Sequence, residues 1–138
     1  MSDSSGNPIR LRELDHVVFR VRDPQTSLAF YQGILGLALV NHNAPLQLWQ
    51  LQCGTGMIDL MPLSGDSPLP DLGKRHIDHV CIGVAGNNIG EIAGYLKSKG
   101  VEVIGEPTMR NGARGQGLSI YITDPDGYIL EIKQAPER

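Results

Sequence analysis

From Asp15 to Val21 the chain alternates, with His16, Val18 and Arg20 on one side and Val17, Phe19 and Val21 on the other. That period of two marks a half-buried strand. Asp23-Pro24 then supplies an acid able to cap a helix and a proline suited to its first position. Leu28, Tyr31, Ile34 and Leu35 recur at helical spacing until Gly36 ends the pattern. Three strand-like runs follow, near residues 37–41, 46–52 and 57–61. The same order then returns. Val80 to Val84 is strand-like, and Asn88 with Glu91 forms a capping-box pair. Ile89, Ile92 and Leu96 make a helical stripe ended by Gly100, and strands are expected near 101–104, 118–123 and 128–133. Asp124-Pro125-Asp126-Gly127 carries proline and glycine where a tight turn needs them, so the last two strands form a hairpin. The pattern predicts an α+β chain of two tandem βαβββ modules. Module one covers about 11–63 and module two about 76–134, joined by a linker at about 64–75 within a single domain, 1–138.

The repeat is written into the residues as well as the periods. Leu14-Asp15-His16-Val17-Val18 opens the first module and Ile77-Asp78-His79-Val80-Cys81 the second. Each module closes on an apolar strand containing one carboxylate, Asp59 in Met57–Met61 and Glu131 in Tyr128–Ile132. Strand alternation puts Asp59 with Met57 and Met61, and Glu131 with Ile129 and Lys133. His16 and His79 lie on the corresponding faces, His79 beside Cys81. The opposite faces, Val17/Phe19/Val21, Ile58/Leu60, Val80/Ile82/Val84 and Leu130/Ile132, are apolar throughout and suit packing under the helices. His16, Asp59, His79 and Glu131 therefore point together, away from the helix-packed side. Two imidazoles and two carboxylates form a mixed nitrogen and oxygen set, suited to a six-coordinate divalent metal with two positions left for water.

Composition narrows the setting. A chain of 138 residues can bury roughly two-thirds of its unfolded surface. A net charge of -3 gives no basic footprint for nucleic acid. No apolar run approaches the roughly 18 residues of a membrane span, and residues 1–8 lack the pattern of a signal peptide. Cys53 and Cys81 stand apart without CxxC spacing, which favours reduced thiols and a cytoplasmic location over a disulfide framework.

The stretch Leu14 to Asp23, through Phe30-Tyr31 and Ile34-Leu35-Gly36, resembles the first module of the vicinal oxygen chelate superfamily. That superfamily includes glyoxalase I, fosfomycin-modifying enzymes, bleomycin-binding proteins and extradiol dioxygenases. Ser119 to Glu131 is similar to its closing motif, and the likeness extends over about residues 11–134. The resemblance implies curved mixed sheets around a cavity, with one divalent metal per site (Ni, Co, Mn, Fe or Zn) held by His16, Asp59, His79 and Glu131. It implies metal-stabilised proton transfer on a small vicinal-oxygen substrate, in the manner of a lactoylglutathione lyase, with Glu131 first and Asp59 second as the catalytic carboxylate. Such small enzymes often share their sites across a homodimer, so that His16 and Asp59 of one chain meet His79 and Glu131 of another. The alternatives are epoxide opening of the fosfomycin type and drug sequestration of the bleomycin type. Retention of the histidines and Glu131 argues against the latter. Extradiol relatives are usually longer and need a further histidine.

The substrate-facing candidates are Arg20, Trp49, Arg114, Ser119 and Tyr121. Arg20 shares a face with His16 and matches an arginine that clamps a glutathione carboxylate in glyoxalase I. Leu63 stands where those relatives carry an asparagine that contacts glutathione, a departure that weighs against glutathione as co-substrate. Asp59 departs too, standing where related isomerases have glutamate. Ser119 and Tyr121 share one strand face and match a Ser-x-Tyr strand of fosfomycin-type relatives. Arg110 and Arg114 lie in a glycine-rich stretch, Met109 to Gly117, which suits either a mobile loop able to close over an anion or a plain solvated hairpin loop. Trp49 is a candidate pocket wall on a strand too irregular in pattern to reveal its face. His42 is expected in an exposed turn, and His76 at a solvated strand entry.

Overall fold

A computed structural model describes residues 6–63 and 77–137. The expected linker and His76 lie outside the described residues. Module one runs β1 (His16–Val21), α1 (Pro24–Leu28), β2 (Ala38–Asn43), β3 (Leu48–Cys53) and β4 (Gly56–Pro62). Module two runs β5 (Val80–Val84), α2 (Ile89–Ser98), β6 (Val103–Gly112), β7 (Gly115–Thr123) and β8 (Ile129–Gln134). Each module forms a four-stranded mixed sheet, ordered β1-β4-β3-β2 and β5-β8-β7-β6. The opening and closing strands of each module pair in parallel, which places each histidine end beside its module's acid.

Local chemistry explains most of the elements. Asp23 caps α1 by accepting from the Gln25 amide at 3.0 Å and the Thr26 hydroxyl at 2.9 Å. The helix does not run straight to Gly36 as the spacing predicts. It widens into a π-helical segment over Ala29–Ile34, with the Leu35 amide reaching back to the Phe30 carbonyl at 2.9 Å. The wider turn accommodates two neighbouring buried rings, Phe30 and Tyr31, packed edge to face with centroids 4.9 Å apart. Gly36 then leaves the helix at φ 83°, a conformation open to glycine. The capping-box expectation at Asn88 fails, because its side chain makes no capping bond. The Ile89 amide is satisfied instead from β8, by the Gln134 side-chain oxygen at 3.0 Å.

One buried cluster joins both modules, including Phe19, Val21, Ile58 and Leu60 from the first and Ile120, Ile122, Leu130 and Ile132 from the second. The Asp124–Gly127 turn fastens them. Tyr31 donates to Asp124 at 2.7 Å, and the Arg22 side chain reaches Asp126 at 3.0 Å. Tyr128 stacks on Phe19 at 4.7 Å and donates its hydroxyl to the Arg20 carbonyl at 2.9 Å. A motif legible in sequence only as a hairpin turn is thus also the clamp between modules.

Two local expectations are revised. Of the two readings of Met109 to Gly117 the structure has the hairpin, with strand running further than expected: β6 and β7 pass through the stretch, with Gly112 opposite Gly115. Its glycines make room for the side chain of Lys133, since a Cβ at Gly112 would lie 2.8 Å from Lys133 Cε. His42 lies on β2 rather than in a turn, stacked on Trp49 with ring centroids 4.5 Å apart.

Candidate metal centre

Strand register builds the same half-site twice. On β1, Val18 pairs with Asp59, and His16 stands two residues before it. On β5, Cys81 pairs with Glu131, and His79 stands two residues before that. In the first half-site His16 Nε2 lies 3.8 Å from Asp59 Oδ2. In the second, His79 Nε2 lies 3.0 Å from Glu131 Oε1. The structure thus brings His16 to Asp59 and His79 to Glu131. It does not bring the two pairs together: among the described residues, no three His, Cys, Asp or Glu side chains cluster closely enough to share an ion.

Each chain therefore carries two open halves. His16 keeps 42% of its side chain exposed and His79 30%, while both acids are buried. Asp59 is 1% exposed. Its Oδ2 accepts from the Gln50 amide group at 3.1 Å, and Gln50 in turn accepts from Asn41 at 2.9 Å. Its Oδ1 is buried without a partner. A buried carboxylate oxygen left bare is costly, and a cation is the partner that would relieve it.

The second half-site leads to the same conclusion by counting protons. Both ring nitrogens of His79 meet carboxylate oxygens, Nδ1 on Asp78 at 2.7 Å and Nε2 on Glu131 at 3.0 Å. A neutral imidazole has only one N–H to give. With Nδ1 donating to Asp78, the Nε2 lone pair faces a Glu131 oxygen, and a cation held between the two would relieve that contact. The donor set and the bare Asp59 oxygen both fit a divalent cation.

Electrostatics around these groups follow their partners. The His16 pKa is raised, first by the hydrogen bond to Asp15 and then by the charge of Asp59. Partial covering of the sulfur and the Glu131 charge push the Cys81 thiol up to about 11. The Tyr121 hydroxyl is raised as well, by desolvation and then by Glu131, against the opposing charge of Arg110.

The remaining candidates divide by face. Tyr121 pairs with Glu131 on the adjoining strand and sets its ring edge-on to His79, with centroids 5.4 Å apart. Ser119, two residues earlier, is 1% exposed with its hydroxyl oxygen unpartnered. Arg110 lies 5.9 Å from the Tyr121 ring centroid. Arg20 lies on the His16 side of β1, donates to the Pro62 carbonyl at 3.1 Å, and lines a 250 Å³ cavity with Asp78 and Tyr128. Trp49 is elsewhere. It pairs with Leu60, a core residue, so its ring lies on the face opposite Asp59. Arg114 occupies the β6–β7 turn, 3.9 Å from Glu137. Sequence reasoning missed Gln50, because nothing in the pattern reveals strand register. It also missed Asp15 and Asp78 as partners of the imidazoles, although the repeated pentad displayed them.

The sequence profile of the Glyoxalase/Bleomycin resistance protein/Dioxygenase superfamily matches residues 13–132. The chain belongs to this superfamily. It is 30% identical over 125 residues to the virulence protein STM3117 of Salmonella typhimurium, covering 88% of this chain and 83% of that protein. It is 31% identical over 136 residues to the mitochondrial methylmalonyl-CoA epimerase of Bos taurus, covering 91% of this chain and 75% of that one. The crystal structure of a glyoxalase/dioxygenase from Nostoc punctiforme superposes with a TM-score of 0.74 at 24% identity, covering 99% of this chain and all of that one, which supports the shared fold. Among the described residues no helix is long and apolar enough to cross a membrane.

Proposed function

We propose that this protein is a divalent-metal-dependent isomerase or lyase of the glyoxalase I kind, moving a proton at a carbon beside a pair of vicinal oxygens. The observation carrying this reading is the duplicated histidine–carboxylate half-site, with a bare buried oxygen on Asp59. His16 and Asp59 of one chain, with His79 and Glu131 of a second, would hold the ion, giving two sites per homodimer. A metal bound there supplies Lewis-acid stabilisation for negative charge developing on a substrate oxygen.

The chain's own residues do the rest. Glu131 takes up the substrate proton at Oε1 and returns it to the neighbouring position, as a general base and then acid. Its burial keeps bulk water from competing for that proton. Tyr121 and Ser119, on the adjoining strand, hold substrate oxygens as hydrogen-bond donors. Arg110 offers a cation beside them, and Arg20 a second one next to the other half-site. Asp59 completes the donor set and is the reserve base. An epimerase among the relatives supports proton transfer as the common chemistry. The hydroxyl and guanidinium wall of Ser119, Tyr121 and Arg110 favours one second reading, epoxide opening on an anionic substrate of the fosfomycin type.

The test begins with protein purified without an affinity tag. Metal content is measured, and turnover is assayed with hemithioacetals, fosfomycin plus thiols, and catechols under Ni, Co, Mn, Fe(II) and Zn. One ion per chain and proton-transfer turnover support the proposal. Wild-type protein that binds none of these ions would refute it.

A further inference from the structure

We infer that Asp15 and Asp78 are positioning residues that set the histidines for metal, each fixing the tautomer of the imidazole next to it. This rests on the metal reading proposed above.

Adjacent side chains on a strand point to opposite faces and do not meet. Asp15 and His16 meet because β1 begins only at His16, and Asp78 and His79 meet because β5 begins only at Val80. Outside the pleat, each aspartate turns back onto its neighbour's ring. Asp15 Oδ1 lies 2.7 Å from His16 Nδ1, and Asp78 Oδ2 lies 2.7 Å from His79 Nδ1. The backbone holds Asp15 in place for this. Its carbonyl accepts from the Met57 amide at 3.0 Å, and it passes so close to Gly56 that a Cβ there would sit 3.0 Å from that oxygen.

The same contact, on the same ring atom, occurs at both ends of a repeat whose halves otherwise differ in their acids. Neither aspartate has work in the core, since Asp15 keeps 86% of its side chain exposed and Asp78 91%. A carboxylate that accepts Nδ1–H leaves Nε2 as the lone-pair nitrogen and strengthens it as a donor. Nε2 is the atom turned towards Asp59 in one half-site and Glu131 in the other. The repeated Asp-His pair is thus a two-residue unit, in which one side chain binds and its neighbour orients.

The experiment uses metal-free wild type, Asp15→Ala, Asp78→Ala and the two Asn variants at about pH 8.5, above the ordinary imidazole range. Long-range ¹H–¹⁵N NMR reads the tautomers of His16 and His79, and calorimetric zinc titration against a chelator reads affinity. Wild type should show the Nδ1–H tautomer at both rings. Each alanine variant should shift its neighbour to a mixture and weaken zinc binding roughly 10- to 100-fold, with apo melting temperature unchanged. Each asparagine variant keeps an acceptor oxygen and should retain the tautomer while losing less affinity. Unchanged tautomers and affinity in the alanine variants would overturn the inference while leaving the metal reading intact. Wild type that binds no zinc would sink the metal reading instead, and the tautomers would still decide the orienting role.

Discussion

If each site is shared between two chains, two dead variants should revive one another. His16→Ala removes a donor from the first half-site, and Glu131→Ala removes one from the second. Because the two half-sites do not converge within one chain, each homodimer loses a donor from both of its sites. Random exchange of equal amounts gives about half heterodimers in a two-fold assembly. In each heterodimer one site combines both substitutions. The other combines His16 and Asp59 from the Glu131→Ala chain with His79 and Glu131 from the His16→Ala chain, and is whole. About one quarter of the wild-type sites should therefore return. Tightly bound metal per chain and turnover should both recover to that fraction after mixing, and neither should recover when the chains are cross-linked first. Subunit exchange shown by mass spectrometry without any recovery would refute shared sites.

Glu131→Gln should abolish proton transfer while reducing metal content much less, as measured by turnover against bound metal; equal losses would make the carboxylate a ligand alone. Tyr31→Phe removes the buried donor to Asp124 and should cost about 1–3 kcal/mol, read as a lower midpoint in urea. Gly117→Ala drives a Cβ into the Gln134 carbonyl oxygen and should destabilise the β7–β8 pair, seen as faster amide exchange along both strands. The pH dependence follows from the raised pKa of His16. Its protonated form is favoured on folding, so metal-free protein gains stability below the ordinary value of 6.5 and loses it as pH rises through the raised one. Metal competes with that proton, so affinity should fall as pH drops through the same window. A flat affinity profile across that window would contradict this.

The repeat, the βαβββ order and the faces on which His16, Asp59, His79 and Glu131 lie are legible in the residues alone. Strand alternation and apolar periodicity are local, and a face is decided by parity alone. The π-helical widening was hidden, because it answers the burial of both Phe30 and Tyr31 against residues far along the chain. Trp49 was unreadable for the same reason: only its pairing with Leu60 turns it from the Asp59 side to the core. The glycines of Met109–Gly117 look like signs of mobility in sequence, yet in three dimensions they seat Lys133 from another strand. Only the folded chain shows that Gln50 supports Asp59, that Asp124 and Asp126 clamp the modules, and that among the described residues the two matched half-sites stay apart. Each of these depends on register or packing between distant segments, and no local pattern of residues encodes a distance across the fold.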